Sequence, residues 1–90
     1  MMLTRDVTIS NKLGLHARAA AKLVSTAGRF AADVFVEKED QRINGKSIMG
    51  VMMLAASQGT VLTLVVDGED AEAAMDALTS LVDDKFGEGE

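Results

Sequence analysis

Thr60-Val61-Leu62-Thr63-Leu64-Val65-Val66-Asp67 is the most strongly patterned stretch of the chain. It is short, rich in β-branched residues and almost continuously apolar. That predicts a strand in a central position, buried on at least one face. Gly68-Glu69-Asp70 turns out of it into a helix whose buried stripe is Ala71, Ala74, Met75, Leu78, Leu81 and Val82, with acids between. Residues 83–90 are mostly acids and glycines and read as a frayed acidic tail.

Upstream of the strand, Ser57-Gln58-Gly59 closes a short helix that begins at Ile48 and runs to Ala56, with Ser47 as its N-cap. Asn44-Gly45 is a turn. Asp33–Glu37 and Gln41–Asn44 read as two strands joined by the charged turn Lys38-Glu39-Asp40. Ala20, Leu23, Val24 and Ala27 recur at spacings of three and four, which places a helix from about His16 to Gly28. Leu3, Val7 and Ile9 alternate with polar residues in a first strand, broken only at Arg5. The order is β-α-β-β-α-β-α. Helices with one apolar stripe each are most economically packed on one face of an antiparallel-type sheet, an α+β fold.

Ninety residues suit one domain, residues 1–90, with one modest core. With no Trp or Tyr and only Phe30, Phe35 and Phe86, that core must be aliphatic. No Cys is present, which excludes disulfides, thiolate metal sites and cysteine nucleophiles. The N-terminus has no apolar signal core and no stretch nears the length of a bilayer span, so a soluble cytoplasmic protein without membrane insertion is expected.

The charge of −5 is unevenly spread. Residues 1–29 carry five bases against Asp6, a net of +4, while residues 67–90 carry nine acids against Lys85, a net of −8. The basic third suits an anionic ligand or partner. Nucleic acid is a poor fit to an acidic chain with so few aromatics.

The only histidine, His16, lies in that basic third, in Gly14-Leu15-His16-Ala17-Arg18-Ala19-Ala20-Ala21. A neutral imidazole is a nucleophile, and attack on phosphorus yields a phosphoramidate that can be passed on. The free backbone amides of Ala17, Arg18 and Ala19, in the first turn of a helix, would face such an anion. Arg18 adds a charge-assisted contact. A lone His is most often a surface residue without a role; the residues around this one argue otherwise. No second His, no Cys and no carboxylate cluster accompanies it, so no metal and no other cofactor is expected.

A second constellation is Asn44-Gly45-Lys46-Ser47 followed by Ile48-Met49-Gly50-Val51-Met52-Met53-Leu54. Gly-Lys-Ser is not a nucleotide-binding P-loop here, because position 40, which that motif requires to be Gly, is Asp40. Ser47 reads as an N-cap, and a phosphate on it would sit well at that helix end. The helix it opens is apolar on nearly every side. Some of that surface must be exposed, and exposed Met suits binding to several partners.

Leu13-Gly14-Leu15-His16-Ala17-Arg18 resembles the phosphorylated-histidine motif of the HPr family, the phosphocarriers of the bacterial phosphoenolpyruvate:phosphotransferase system. Lys46-Ser47-Ile48-Met49-Gly50-Val51-Met52 resembles that family's second signature, around a regulatory serine. The resemblance spans essentially the whole chain. It implies an open-faced β-sandwich, a four-stranded antiparallel sheet covered on one face by three helices. It implies that His16 takes a phosphoryl group on Nδ1 from phosphorylated Enzyme I and gives it to an Enzyme IIA, with Arg18 assisting. Such a protein is a monomeric covalent relay rather than a true enzyme. The resemblance also implies phosphorylation of Ser47 by a serine kinase/phosphatase where the host has one. Partners would dock on Leu15, Ala21, Ile48, Met49 and Met52. The family's usual Pro after His-Ala-Arg is Ala19 here, and the continuation resembles the nitrogen-related branch, NPr. Two rivals remain: an interaction protein signalling through Ser47 alone, and a small nucleic-acid-binding α+β domain.

Overall fold

A computed structural model describes residues 1–90. The elements are β1 (Met2–Thr8), α1 (Ala17–Ala27), β2 (Asp33–Lys38), β3 (Gln41–Asn44), α2 (Ile48–Met53), β4 (Val61–Asp67) and α3 (Ala71–Asp83), followed by a 3-10 turn at Lys85–Gly87. The strands form one sheet in the order β1-β4-β2-β3, and every neighbouring pair is antiparallel. The near-continuous apolar run is therefore the inner strand: β4 pairs with β1 from Met2↔Asp67 to Thr8↔Val61 and with β2 from Asp33↔Asp67 to Glu37↔Thr63.

Side chains alternate across the sheet, so one parity of each strand faces the helices. Val7, Val34, Val36, Leu62, Leu64 and Val66 take that face and are buried. Ala19, Ala20 and Leu23 of α1, Val51 of α2 and Ala74, Met75 and Leu78 of α3 complete a single apolar cluster with them. The opposite face carries Thr4, Asp6, Thr63 and Glu37 and is open to solvent. Val65 is its buried exception, flanked in register by Thr4 and Phe35. The Arg42 guanidinium stacks over the Phe35 ring, 4.2 Å from its centroid. Arg5, which broke the alternation of β1, donates from Nη1 to Thr79 Oγ1 of α3 (3.4 Å).

One helix end differs from expectation, and another falls where expected with an ordinary backbone. α2 stops at Met53 rather than Ala56, because Ala55 takes a positive φ of 49° that no continuing helix allows. Lys38 Nζ then donates to the Leu54 carbonyl (2.9 Å), supplying a cation at that C-terminus. Gly28 ends α1, yet in the right-handed region (φ −66°) rather than as a left-handed cap.

The C-terminus is the larger correction. Residues 83–90 do not fray: Phe86 is fully buried in the common cluster, and the chain around it is hydrogen-bonded. Lys22 Nζ donates to the Phe86 carbonyl (2.6 Å), and the Lys12 amide donates to the Glu90 carbonyl (2.8 Å). The acids had suggested a solvated segment. An aromatic ring seeking burial and a basic counter-surface decide the matter the other way.

Candidate functional site

His16 is the N-cap of α1, with extended backbone (φ −72°, ψ 177°) immediately before the first helical residue. Its carbonyl accepts from the Ala20 amide (2.9 Å), and its ring makes no bond back to the helix. The amides of Ala17, Arg18 and Ala19, one turn too early for an intrahelical partner, are thus available at the mouth of the site. The helix dipole adds a partial positive charge there.

Gly14 sets the approach to the cap. It has φ +66°, and a Cβ on it would lie 2.5 Å from the Ala56 carbonyl oxygen, so no side chain fits. The loop runs against residues 56–57, and the Leu15 amide donates to that same carbonyl (2.8 Å). This is why Leu15, expected on the docking surface, is buried instead: the close approach turns its side chain into the core. Leu13, two residues earlier, takes the exposed place at 69 %.

The cleft around His16 has two sides. Lys12, Leu13, Ala17, Arg18 and Lys22 form one, and the C-terminal residues Gly87, Glu88 and Glu90 form the other. Arg18 lines the cleft with an exposed side chain that takes part in no hydrogen bond within the chain. Glu88 closes onto the ring: its Oε2 meets His16 Nε2, and its Oε1 accepts from Asn11 Nδ2 (3.0 Å). The His16 hydrogen bond, reinforced by that of Asn11, holds the Glu88 carboxyl below its ordinary value of 4.5. Asn11 is fully buried, and its Nδ2 also donates to the Gly14 carbonyl (2.7 Å).

Neither Asn11 nor Glu88 was singled out from the sequence. The one available signal was Phe86, an isolated aromatic among acids and glycines, whose burial must bring its neighbours to the protein surface.

Ser47 is the N-cap of α2, its Oγ accepting from the Gly50 amide (3.2 Å) as expected. Ile48, Met49 and Met52 are exposed, and so are Met53 on the same helix and Leu13, which lines the cleft. Ala21 is exposed on α1.

The family described as PTS HPr component phosphorylation site matches residues 3–84. The phosphocarrier protein HPr of Neisseria meningitidis serogroup A is 57 % identical over 89 residues, covering 99 % of this chain and all of that protein. The phosphocarrier protein NPr of Shewanella violacea is 46 % identical over 86 residues, covering 96 % of this chain and 94 % of that protein. Among solved structures, an HPr from Thermoanaerobacter tengcongensis superposes with a TM-score of 0.92 at 48 % identity, over 96 % of this chain and 97 % of that one. The family match stops at Asp84, so Phe86 and Glu88 lie beyond it.

Proposed function

The chain belongs to the HPr family of phosphocarriers, and on that premise we propose that His16 is its phosphoryl-accepting residue, loaded by phosphorylated Enzyme I and discharged to an Enzyme IIA. The observation that carries this reading is the placement of the only imidazole at the open N-terminus of α1, in a cleft with basic side chains. Attack through a ring lone pair would leave a phosphate dianion where the amides of Ala17, Arg18 and Ala19 can receive it. The free Arg18 guanidinium is in reach of the same cleft for a charge-assisted bond.

The exposed Leu13, Ile48, Met49, Met52 and Met53 suit a dry docking surface that serves two partners in turn. Ala21, small and exposed on α1, leaves room beside it. We place this relay in the cytoplasm, acting as a monomer without a cofactor. No helix is long and apolar enough to cross a membrane.

Incubation with phosphoenolpyruvate and a cognate Enzyme I should add one acid-labile phosphate to the wild-type chain and none to His16→Ala. Failure of the wild-type chain with an active cognate Enzyme I would overturn the proposal. Assaying the sugar-type and nitrogen-type Enzyme I side by side assigns the branch.

The second reading, signalling through Ser47, is favoured by its position as the cap that opens the exposed apolar helix. A phosphate there would place charge at the edge of the docking surface. If that were the main role, Ser47→Asp would alter partner binding in cells while His16→Ala was silent.

A further inference from the structure

Glu88 lies beyond the family match and outside every role assigned above. We propose that Glu88 is a positioning residue for His16: its carboxylate takes the hydrogen bond from Nε2–H and thereby presents Nδ1 as the lone-pair nitrogen. The inference rests on the reading of His16 as the phosphoryl acceptor.

An ionised carboxylate can only accept hydrogen bonds, so a ring nitrogen facing it must carry the proton. A neutral imidazole has one such proton. With it on Nε2, the lone pair belongs to Nδ1. The ionised state is favoured by the same contact, with Asn11 adding to it.

The carboxylate is held from both ends. On the far side, Asn11 Nδ2 reaches two acceptors, Glu88 Oε1 and the Gly14 carbonyl. Turning the amide over would set its oxygen against both, so its orientation is determined even though its own Oδ1 is buried without a partner. On the chain side, the buried Phe86 ring and the bond from Lys22 to the Phe86 carbonyl anchor the segment two residues before Glu88. An ordinary surface ion pair has neither support and contributes little. Here the Glu88 side chain is 13 % exposed, whereas His16 keeps 30 %, enough to leave the ring reachable from the cleft.

The transfer step balances without moving a proton. The Nδ1 lone pair forms the new N–P bond as the bond from phosphorus to the donor breaks, its electron pair returning to the donor. The ring of His16 gains positive charge, which the carboxylate on Nε2–H offsets, as a buried carboxylate does behind a catalytic histidine. On onward transfer, the N–P pair returns to Nδ1 and leaves the neutral Nε2–H ring with which the cycle began.

The test is a ¹⁵N measurement of the His16 ring in the unphosphorylated chain, read alongside the rate of phosphoryl gain from Enzyme I. Wild type should show the Nε2–H tautomer almost alone. Glu88→Ala should show a mixed ring. Glu88→Gln keeps the shape but can donate to Nε2 as well as accept, so it too should mix the tautomers. Phosphoryl gain should fall on the order of tenfold in both, the scale on which outer-shell carboxylates act on the histidines they orient. A ring tautomer unchanged in both variants would overturn the proposal. So would a changed tautomer with an unchanged rate. Failure of the wild-type chain to accept phosphate would instead count against the relay itself, since the tautomer is read without phosphorylation.

Discussion

Replacement of Phe86 by Ala is the sharpest test of how the C-terminal segment is held. The ring is fully buried, four residues from the end of the chain. Moving such a side chain out of water contributes about 1.5–3 kcal/mol, and the cavity left behind raises typical Phe-to-Ala losses to about 3–5 kcal/mol. A segment so close to a terminus has another course open to it. It can detach, surrendering the Lys22 and Lys12 bonds but regaining backbone freedom worth about 1 kcal/mol per residue. Detachment limits the loss, so we expect about 2–3 kcal/mol. For a domain of this length, that corresponds to a fall in Tm of very roughly 10–20 °C. Native domains have about 5–15 kcal/mol in hand, so the variant should still fold. Urea denaturation of wild type, Phe86→Ala and Phe86→Leu measures it. Leu retains most of the apolar volume and should lose less than about 1.5 kcal/mol. A loss under about 0.5 kcal/mol for Phe86→Ala would refute the reasoning and return residues 83–90 to the frayed state that their composition suggests.

Gly14→Ala combines a left-handed backbone, which costs a non-glycine residue about 1–2 kcal/mol, with a Cβ placed 2.5 Å from the Ala56 carbonyl oxygen. It should destabilise by more than about 2 kcal/mol in denaturant titrations and displace His16, lowering phosphoryl gain as well. Ser47→Ala removes the α2 cap and should cost about 1 kcal/mol, whereas Ser47→Asp, an equally good cap, should be near neutral in the same titration. Asp70 accepts from the amides of Ala31 (2.8 Å) and Ala32 (2.8 Å), and these bonds, the Ala31 one foremost, hold its carboxyl below the usual 3.8. A depressed folded value means that the contribution is complete above the unfolded value and is lost as pH falls through the folded one. Stability should therefore decline on acidification below about pH 4. Asp70→Asn should flatten that limb, which thermal melts between pH 2 and pH 6 would detect.

The elements were legible because local chemistry and final structure agree in most of them. The strand around Leu62–Val66 is apolar enough to be central, and it is. Ser47 has the side chain of an N-cap, and the Gly50 amide uses it. His16 stood out because a Gly, a lone imidazole and an alanine-rich helix fall within one short segment. Where sequence and structure part, the deciding contact is remote in sequence. Leu15 is buried because Gly14 lets the loop meet residues 56–57, which nothing near Leu15 announces. α2 ends before Ala55 although alanine is a good helix former, because the Ala55 backbone takes a positive φ.

The sequence by itself determined the elements, their order, the lone imidazole at the start of α1 and the cap of α2, since each depends on residues within a turn or two of one another. Only the tertiary structure decided which leucine is exposed and what the acidic tail does. Phe86 draws that tail into the core against the basic third of the chain, and Glu88 arrives at His16 from 72 positions away. Local periodicity holds no record of such a contact. It exists because burial of one ring and the pull between opposite charges at the two ends of the chain outweigh the entropy of a free terminus.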